Sequence, residues 1–213
     1  MASSIRHESQ ETDRLLALTD GVIAIAITLL VLDITVPELR PGTPSTVLVE
    51  LVSEQGPEFL SYVLSFLVIG WYWMLHRRVF IHIDEHDNGL VVLNLVFLLM
   101  VAFVPFATSV LSTYPDQFGT MFYAGVLALT GFSLLLLWGY ASRHDILEEG
   151  LTSRLVVLQS ARFLASPLVF VLSIGIALVS PTLAVLSWLL LVPINGFLQS
   201  RMMDSLEAAA EKE

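Results

Sequence analysis

Six apolar runs, each long enough to cross a membrane and separated by short polar turns, occupy the chain from Leu15 to Gln199. A spanning helix needs roughly 20 mainly apolar residues, so six spans and their turns take up nearly all of the 213 residues. A soluble domain has no means of hiding that much apolar surface, with 55% of the residues hydrophobic and 14% charged. The fold class that follows is an all-α membrane protein with six transmembrane helices per subunit. Strands do not fit, because the apolar residues come in long runs rather than in alternation. No stretch is left over for a separate catalytic domain.

Helical runs and their breakers place the spans at about 13–36, 58–79, 89–111, 118–142, 155–179 and 182–199. Together they make a transmembrane domain over residues 1–205, followed by a solvated tail at 206–213. Pro37 stops the first helix and Ser180-Pro181 separates the last two. Pro105 is expected to kink the third, since proline removes a backbone hydrogen bond. Thr43 as cap and Pro44 in the first turn open a short helix in which Val47, Leu48, Leu51 and Val52 oppose Glu50 and Glu54. Such a helix suits the outer membrane interface. Trp71, Tyr72 and Trp73 suit the membrane–water boundary at the end of helix two.

The basic residues set the orientation. In a six-span arrangement every Lys and Arg but Arg40 falls on one side: Arg6, Arg14, Arg77, Arg78, Arg143, Arg154, Arg162, Arg201 and Lys212. The side rich in Lys and Arg is the cytoplasm, so both termini are expected there. Glu8, Glu11 and Asp13 precede the first apolar run and no small-residue cleavage site follows it, so it reads as a retained helix. The net charge of −10 argues against nucleic acid as a partner. With no cysteine in the chain, disulfides, thiol catalysis and cysteine-ligated metal are excluded.

Ionisable and polar residues at membrane depth are the functional candidates, and helix one holds the densest set. At about 100° per residue, Leu18, Gly21, Ile25, Leu29 and Leu32 share one stripe with Thr28 at its edge, while Asp20 points away from it. Two uses are open for this stripe. It packs against helix two or three, or several copies around an axis form stacked hydrophobic rings that gate a pore by dewetting.

Arg14-x-x-x-Leu18-Thr19-Asp20-Gly21-Val22-x-Ala24-Ile25-Ala26-x-Thr28-Leu29-Leu30-Val31-Leu32-Asp33 resembles the signature helix of the transmembrane protein 175 family of potassium channels, in its bacterial, single-repeat form. Leu18-Thr19 stands where the family has Phe-Ser, keeping bulk and hydroxyl. Trp73 and His76 match the family loosely after helix two, with Arg77 and Arg78 in place of polar or histidine positions. The resemblance implies a homotetramer with helix one lining a central pore and no oxygen-lined filter loop. It implies a constriction at Ile25, Leu29 and Leu32, a selectivity hydroxyl at Thr28, and a structural polar network of Arg14, Thr19, Asp20 and His76. The function implied is passive, potassium-preferring cation conduction in the bacterial inner membrane, with no enzyme activity, no cofactor, and the bilayer, monovalent cations and further copies of the chain as partners. A secondary transporter and a non-conducting scaffold are the alternatives.

Physical reasoning adds detail to these expectations. A passage lined by Ile and Leu offers no cage to a dehydrated cation, so it favours the ion with cheaper dehydration, potassium over sodium. Thr28 has a second use, a bond to its own helix at the i−4 carbonyl. Asp20 is expected to pair with Arg14, Arg77 or His76. Asp33, with Glu38, Glu50, Glu54, Glu58 and Asp116, marks an outer vestibule that concentrates cations. His82-x-Asp84-x-His86 has a metal-like spacing but reads as a solvated turn. Arg162 is expected to snorkel to the cytoplasmic boundary or to pair with an acid. Ser65, Ser166 and Ser173 lack an intramembrane histidine partner, which argues against an intramembrane enzyme.

Overall fold

The computed structural model describes residues 2–35, 44–83, 87–144, 146–147 and 153–210, with side chains from Thr12 to Met203 except at Ser45, Leu48 and Met202. Among them the chain is helical: α1 (Ala2–Leu29) with a 3-10 turn at Leu30–Asp33, α2 (Ser45–Glu54), α3 (Gly56–Phe80), α4 (Asn88–Thr113), α5 (Gln117–Ala141), α6 (Ser153–Ala177), α7 (Pro181–Ser187) with a 3-10 turn at Trp188–Leu190, and α8 (Leu191–Ala210). Six spans are long and apolar enough to cross a membrane: Thr12–Asp33, Gly56–Phe80, Asn88–Thr113, Gln117–Ala141, Ser153–Ala177 and Pro181–Arg201. The last combines α7, the 3-10 turn and much of α8. In lipid the backbone must satisfy its own hydrogen bonds, which is why the connections are brief and the spans continuous.

Helix starts follow their capping chemistry. Asp87 accepts the Leu90 amide at 2.8 Å and starts α4, and Asp116 accepts the Gly119 amide at 3.1 Å and starts α5. Ser180 caps α7, with Pro181 in its first turn. These oxygens take up amide hydrogens that have no partner inside the helix. The short helix predicted after the first span is α2, but its proposed cap Thr43 lies outside the described residues. Helix α4 continues through Pro105 to Thr113. Helix α1 reaches back to Ala2, well before the apolar run begins.

α5 is the most enclosed span and the last span the least. The core lies where α5 meets α4 and α6, around Tyr123, Leu127, Leu137 and Trp138 on α5, Phe97 and Val104 on α4, and Phe163 and Phe170 on α6. Close approach needs a glycine: a Cβ at Gly131 would stand 2.8 Å from Pro167 Cδ on α6 and 3.0 Å from the Tyr72 hydroxyl on α3. Polar side chains in the core are tied together. Thr108 donates to Ser65 at 2.8 Å, Ser65 meets the Tyr123 hydroxyl at 2.9 Å, and the Trp188 indole donates to Ser173 at 2.9 Å. Interhelical bonds of this kind, with small residues at the contacts, hold helices together in lipid. Many large apolar side chains, among them Leu60, Leu99, Leu136, Leu172 and Val192, are left exposed, as a surface solvated by lipid allows.

Candidate permeation surface and its supports

Helix α1 has two faces set by the aliphatic period of its sequence. Leu15, Thr19, Ile23, Ala26 and Leu30 are buried against the rest of the subunit, where α1 packs on α4 and α3. Leu18, Gly21, Ile25, Thr28, Leu29 and Leu32 are exposed, with Ile25 at 60% and Leu32 at 71%. The stripe therefore does not pack on helix two or three, the first of its two possible uses. Within one subunit it is an uncovered aliphatic ladder running along a whole span.

Thr28 sits on this open face. Its hydroxyl donates to the Ile25 carbonyl at 2.8 Å, an i−3 bond in place of the expected i−4 one. A hydroxyl has one hydrogen and two acceptor lone pairs. With the hydrogen committed to the helix, the exposed oxygen offers acceptors outward, so back-bonding and a role toward a cation are compatible.

Behind the stripe, Thr19 and His76 are brought together by a residue not singled out in the sequence, Asn94 on α4. The Asn94 amide donates to Thr19 Oγ1 at 3.0 Å, Thr19 donates to the Leu15 carbonyl at 2.9 Å, and Asn94 Oδ1 lies 2.7 Å from His76 Nε2. With the amide oriented this way, the imidazole donates from Nε2. All three side chains are buried. The His76 ring is stacked between Phe80 and Phe97, at 4.5 and 5.1 Å between centroids. The signal for Asn94 was present: it is the single polar side chain between Leu90 and Ala107.

Asp20 is exposed and accepts a 2.7 Å hydrogen bond from the Trp73 indole on α3. Its partner in the subunit is thus Trp73 rather than Arg14, Arg77 or His76. The Arg77 guanidinium lies over the Trp73 ring, 5.9 Å from its centre, so charge of both signs flanks one indole. Arg14 is exposed and makes no bond to another described residue. At the far end of the span, Asp33 is half-buried and accepts from Ser109 at 2.5 Å and Ser112 at 2.7 Å, both on α4. Both carboxylate oxygens fasten the end of α1, a use that the vestibule expectation did not include. Glu38 lies outside the described residues.

Asp84 and His86 lie outside the described residues too, and His82 packs edge-on against Trp138. Among the described residues no group of three His, Cys, Asp or Glu is placed to hold a metal ion. Ser65 and Ser173 are bonded to Tyr123, Thr108 and Trp188, none of them a base near neutral pH.

Comparison with known proteins adds identity to this geometry. A family profile described as endosomal/lysosomal potassium channel TMEM175 matches residues 14–105, the stretch that holds the membrane part of α1, α2, α3 and most of α4. A potassium channel of Streptomyces collinus is 34% identical over 207 residues, spanning 94% of this chain and 98% of that protein. A potassium channel of Chamaesiphon minutus is 34% identical over 142 residues, or 65% of this chain and 70% of its own length. The crystal structure of a lysosomal potassium-selective channel TMEM175 homolog from Chamaesiphon minutus superposes with a TM-score of 0.74 at 28% identity, covering 89% of this chain and 98% of that one.

Proposed function

Because the chain belongs to the TMEM175 family, we propose that it is a potassium-selective cation channel whose pore forms where α1 helices of four identical subunits meet around one axis. The family is one of ion channels, not enzymes. The observation that carries the reading is the exposed stripe of α1. A helix whose aliphatic ladder is left uncovered along a whole span, while its other face is clamped, is shaped to line something other than its own subunit.

Ile25, Leu29 and Leu32 then form stacked rings that close by dewetting. A cation crossing them sheds water without an oxygen cage to replace it, and potassium sheds water more cheaply than sodium. The outward lone pairs of Thr28 offset part of that cost. The supports hold α1 at both ends, Thr19–Asn94–His76 and Trp73–Asp20 at one, Asp33 with Ser109 and Ser112 at the other. Arg14 and Asp20, exposed at the same end, are placed to meet a neighbouring subunit.

The distribution of basic residues supports cytoplasmic termini, and the bacterial relatives support a place in the inner membrane. The permeant ion is potassium and no cofactor takes part. Potassium flux from liposomes holding the purified protein tests this reading, comparing wild type with Ile25→Asn and Leu29→Asn. Flux that rises, or loses preference over sodium, in the variants supports it. Absence of flux in every variant, with oligomers intact, contradicts it.

A further inference from the structure

Arg162 was expected at the membrane boundary or beside an acid; it is buried, and no acid among the described residues bonds it. It lies on α6 with 2% of its surface exposed. Its hydrogen bond runs from Nη2 to Oε1 of Gln199 on α8, at 3.0 Å, and Nε and Nη1 have no partner. A guanidinium keeps its charge at any accessible pH, and a neutral amide does not balance it.

The surroundings repeat the deficit. Gln159 and Ser166 stand one turn to either side of Arg162 on the same face of α6, and Asn195 stands one turn before Gln199 on α8. All three are buried, at 4, 1 and 3% exposure. Gln159 Oε1, Ser166 Oγ and Asn195 Oδ1 also lack partners. Apart from Glu58 Oε2 and Trp71 Nε1 on α3, every unpartnered buried side-chain polar atom among the described residues falls in this one cluster. Buried polar groups are ordinarily paired, and an uncompensated charge at membrane depth is costly.

The cluster thus has two unused nitrogens on a cation, two unused amide oxygens and a hydroxyl. Nε–H and an Nη1 hydrogen point to different sides, so a phosphate would take one of them together with the second Nη2 hydrogen as a planar fork, and the amide oxygens match hydroxyls carried by the same ligand. Gln199 is exposed and bonds the guanidinium, so a ligand reaches Arg162 where the Gln199 side chain swings aside. α8 belongs to the least enclosed span. Arg154 in the first turn of α6 and Arg201 just past Gln199 are exposed at the same end, adding positive field. Basic pockets between helices on the cytoplasmic side suit phosphate headgroups.

We propose that the buried polar cluster between α6 and α8 around Arg162 binds a phosphate group carrying hydroxyls, either the headgroup of an anionic lipid of the inner leaflet or free phosphate. The leaflet rests on the orientation proposed above; the site itself does not depend on conduction.

The test uses the full chain purified in detergent. Its melting temperature is followed against added phosphatidylglycerol, phosphatidylcholine and inorganic phosphate, and retained lipid is weighed by native mass spectrometry. The expected result is a rise of several degrees with phosphatidylglycerol and none with phosphatidylcholine. Arg162→Met abolishes that difference. Arg162→Lys keeps the charge but not the fork, and needs about tenfold more lipid for the same shift. A matching rise with inorganic phosphate identifies the free anion as the ligand; its absence identifies the lipid. Equal response to both lipids with no response to phosphate overturns the proposal, as does full preference retained by Arg162→Met. If Arg162→Met does not fold, the wild-type comparison and Arg162→Lys decide.

Discussion

At the scale of single residues, the buried relay behind α1 is where a small change should have a measurable effect. Asn94→Leu removes the acceptor for His76 and the donor to Thr19, leaving buried groups unpaired at about 1–3 kcal/mol. Thermal unfolding in detergent should show a clear drop for Asn94→Leu, and an unchanged melting point would contradict the relay. Asp87 offers a pH test outside the spans. The Tyr140 hydroxyl at 2.5 Å and then the Leu90 amide hold its carboxylate below its usual range. A depressed carboxylate contributes stability that is present above its unfolded value and lost as pH falls through the folded one. Tyr140→Phe should therefore be less stable than wild type near neutral pH, with the gap between their melting points closing as pH falls through the folded value of wild type; a gap that stays constant or widens on acidification would contradict this. The exposed stripe of α1 was legible in the sequence because a 3.6-residue period says which residues share a face. The partner of Asp20 was not. Trp73 looked like a boundary aromatic, and only the rotation of α3 against α1 turns its indole to the carboxylate.

Among the helices, tight and loose contacts separate clearly. Gly131 lets α5 approach α6 and α3, while nothing stands within 4 Å of a Cβ at Gly125 on the same helix. Gly131→Val should cost about 1–3 kcal/mol by overpacking, and Gly125→Val should not. Equal melting points for the two would contradict the close approach at Gly131. The existence of the spans was readable from length and apolarity, since the bilayer fixes both. Their ends were not all readable. Helix α1 reaches back to Ala2 and α8 runs on to Ala210, because leaving the membrane removes an apolar requirement without supplying a helix breaker. Arg162 escaped the sequence reading for a different reason: a cation inside a span is visible, but whether it reaches water or is covered by α8 depends on how α8 packs.

For the whole molecule, α1 is held at both ends and leaves one face open. A single subunit does not enclose a passage with one such helix, so the account depends on copies meeting along the stripe. The chain lacks cysteine, which makes the test direct. Single cysteines are placed at Ile25, Leu29 and Leu32, and at Leu136, which is exposed on α5 as a lipid-facing control. Potassium current is recorded in bilayers before and after silver ion, a thiol-reactive cation small enough to follow potassium. The account predicts irreversible block at the three α1 positions and none at Leu136. Current untouched at all three α1 positions, in channels that conduct normally, would contradict a pore lined by α1.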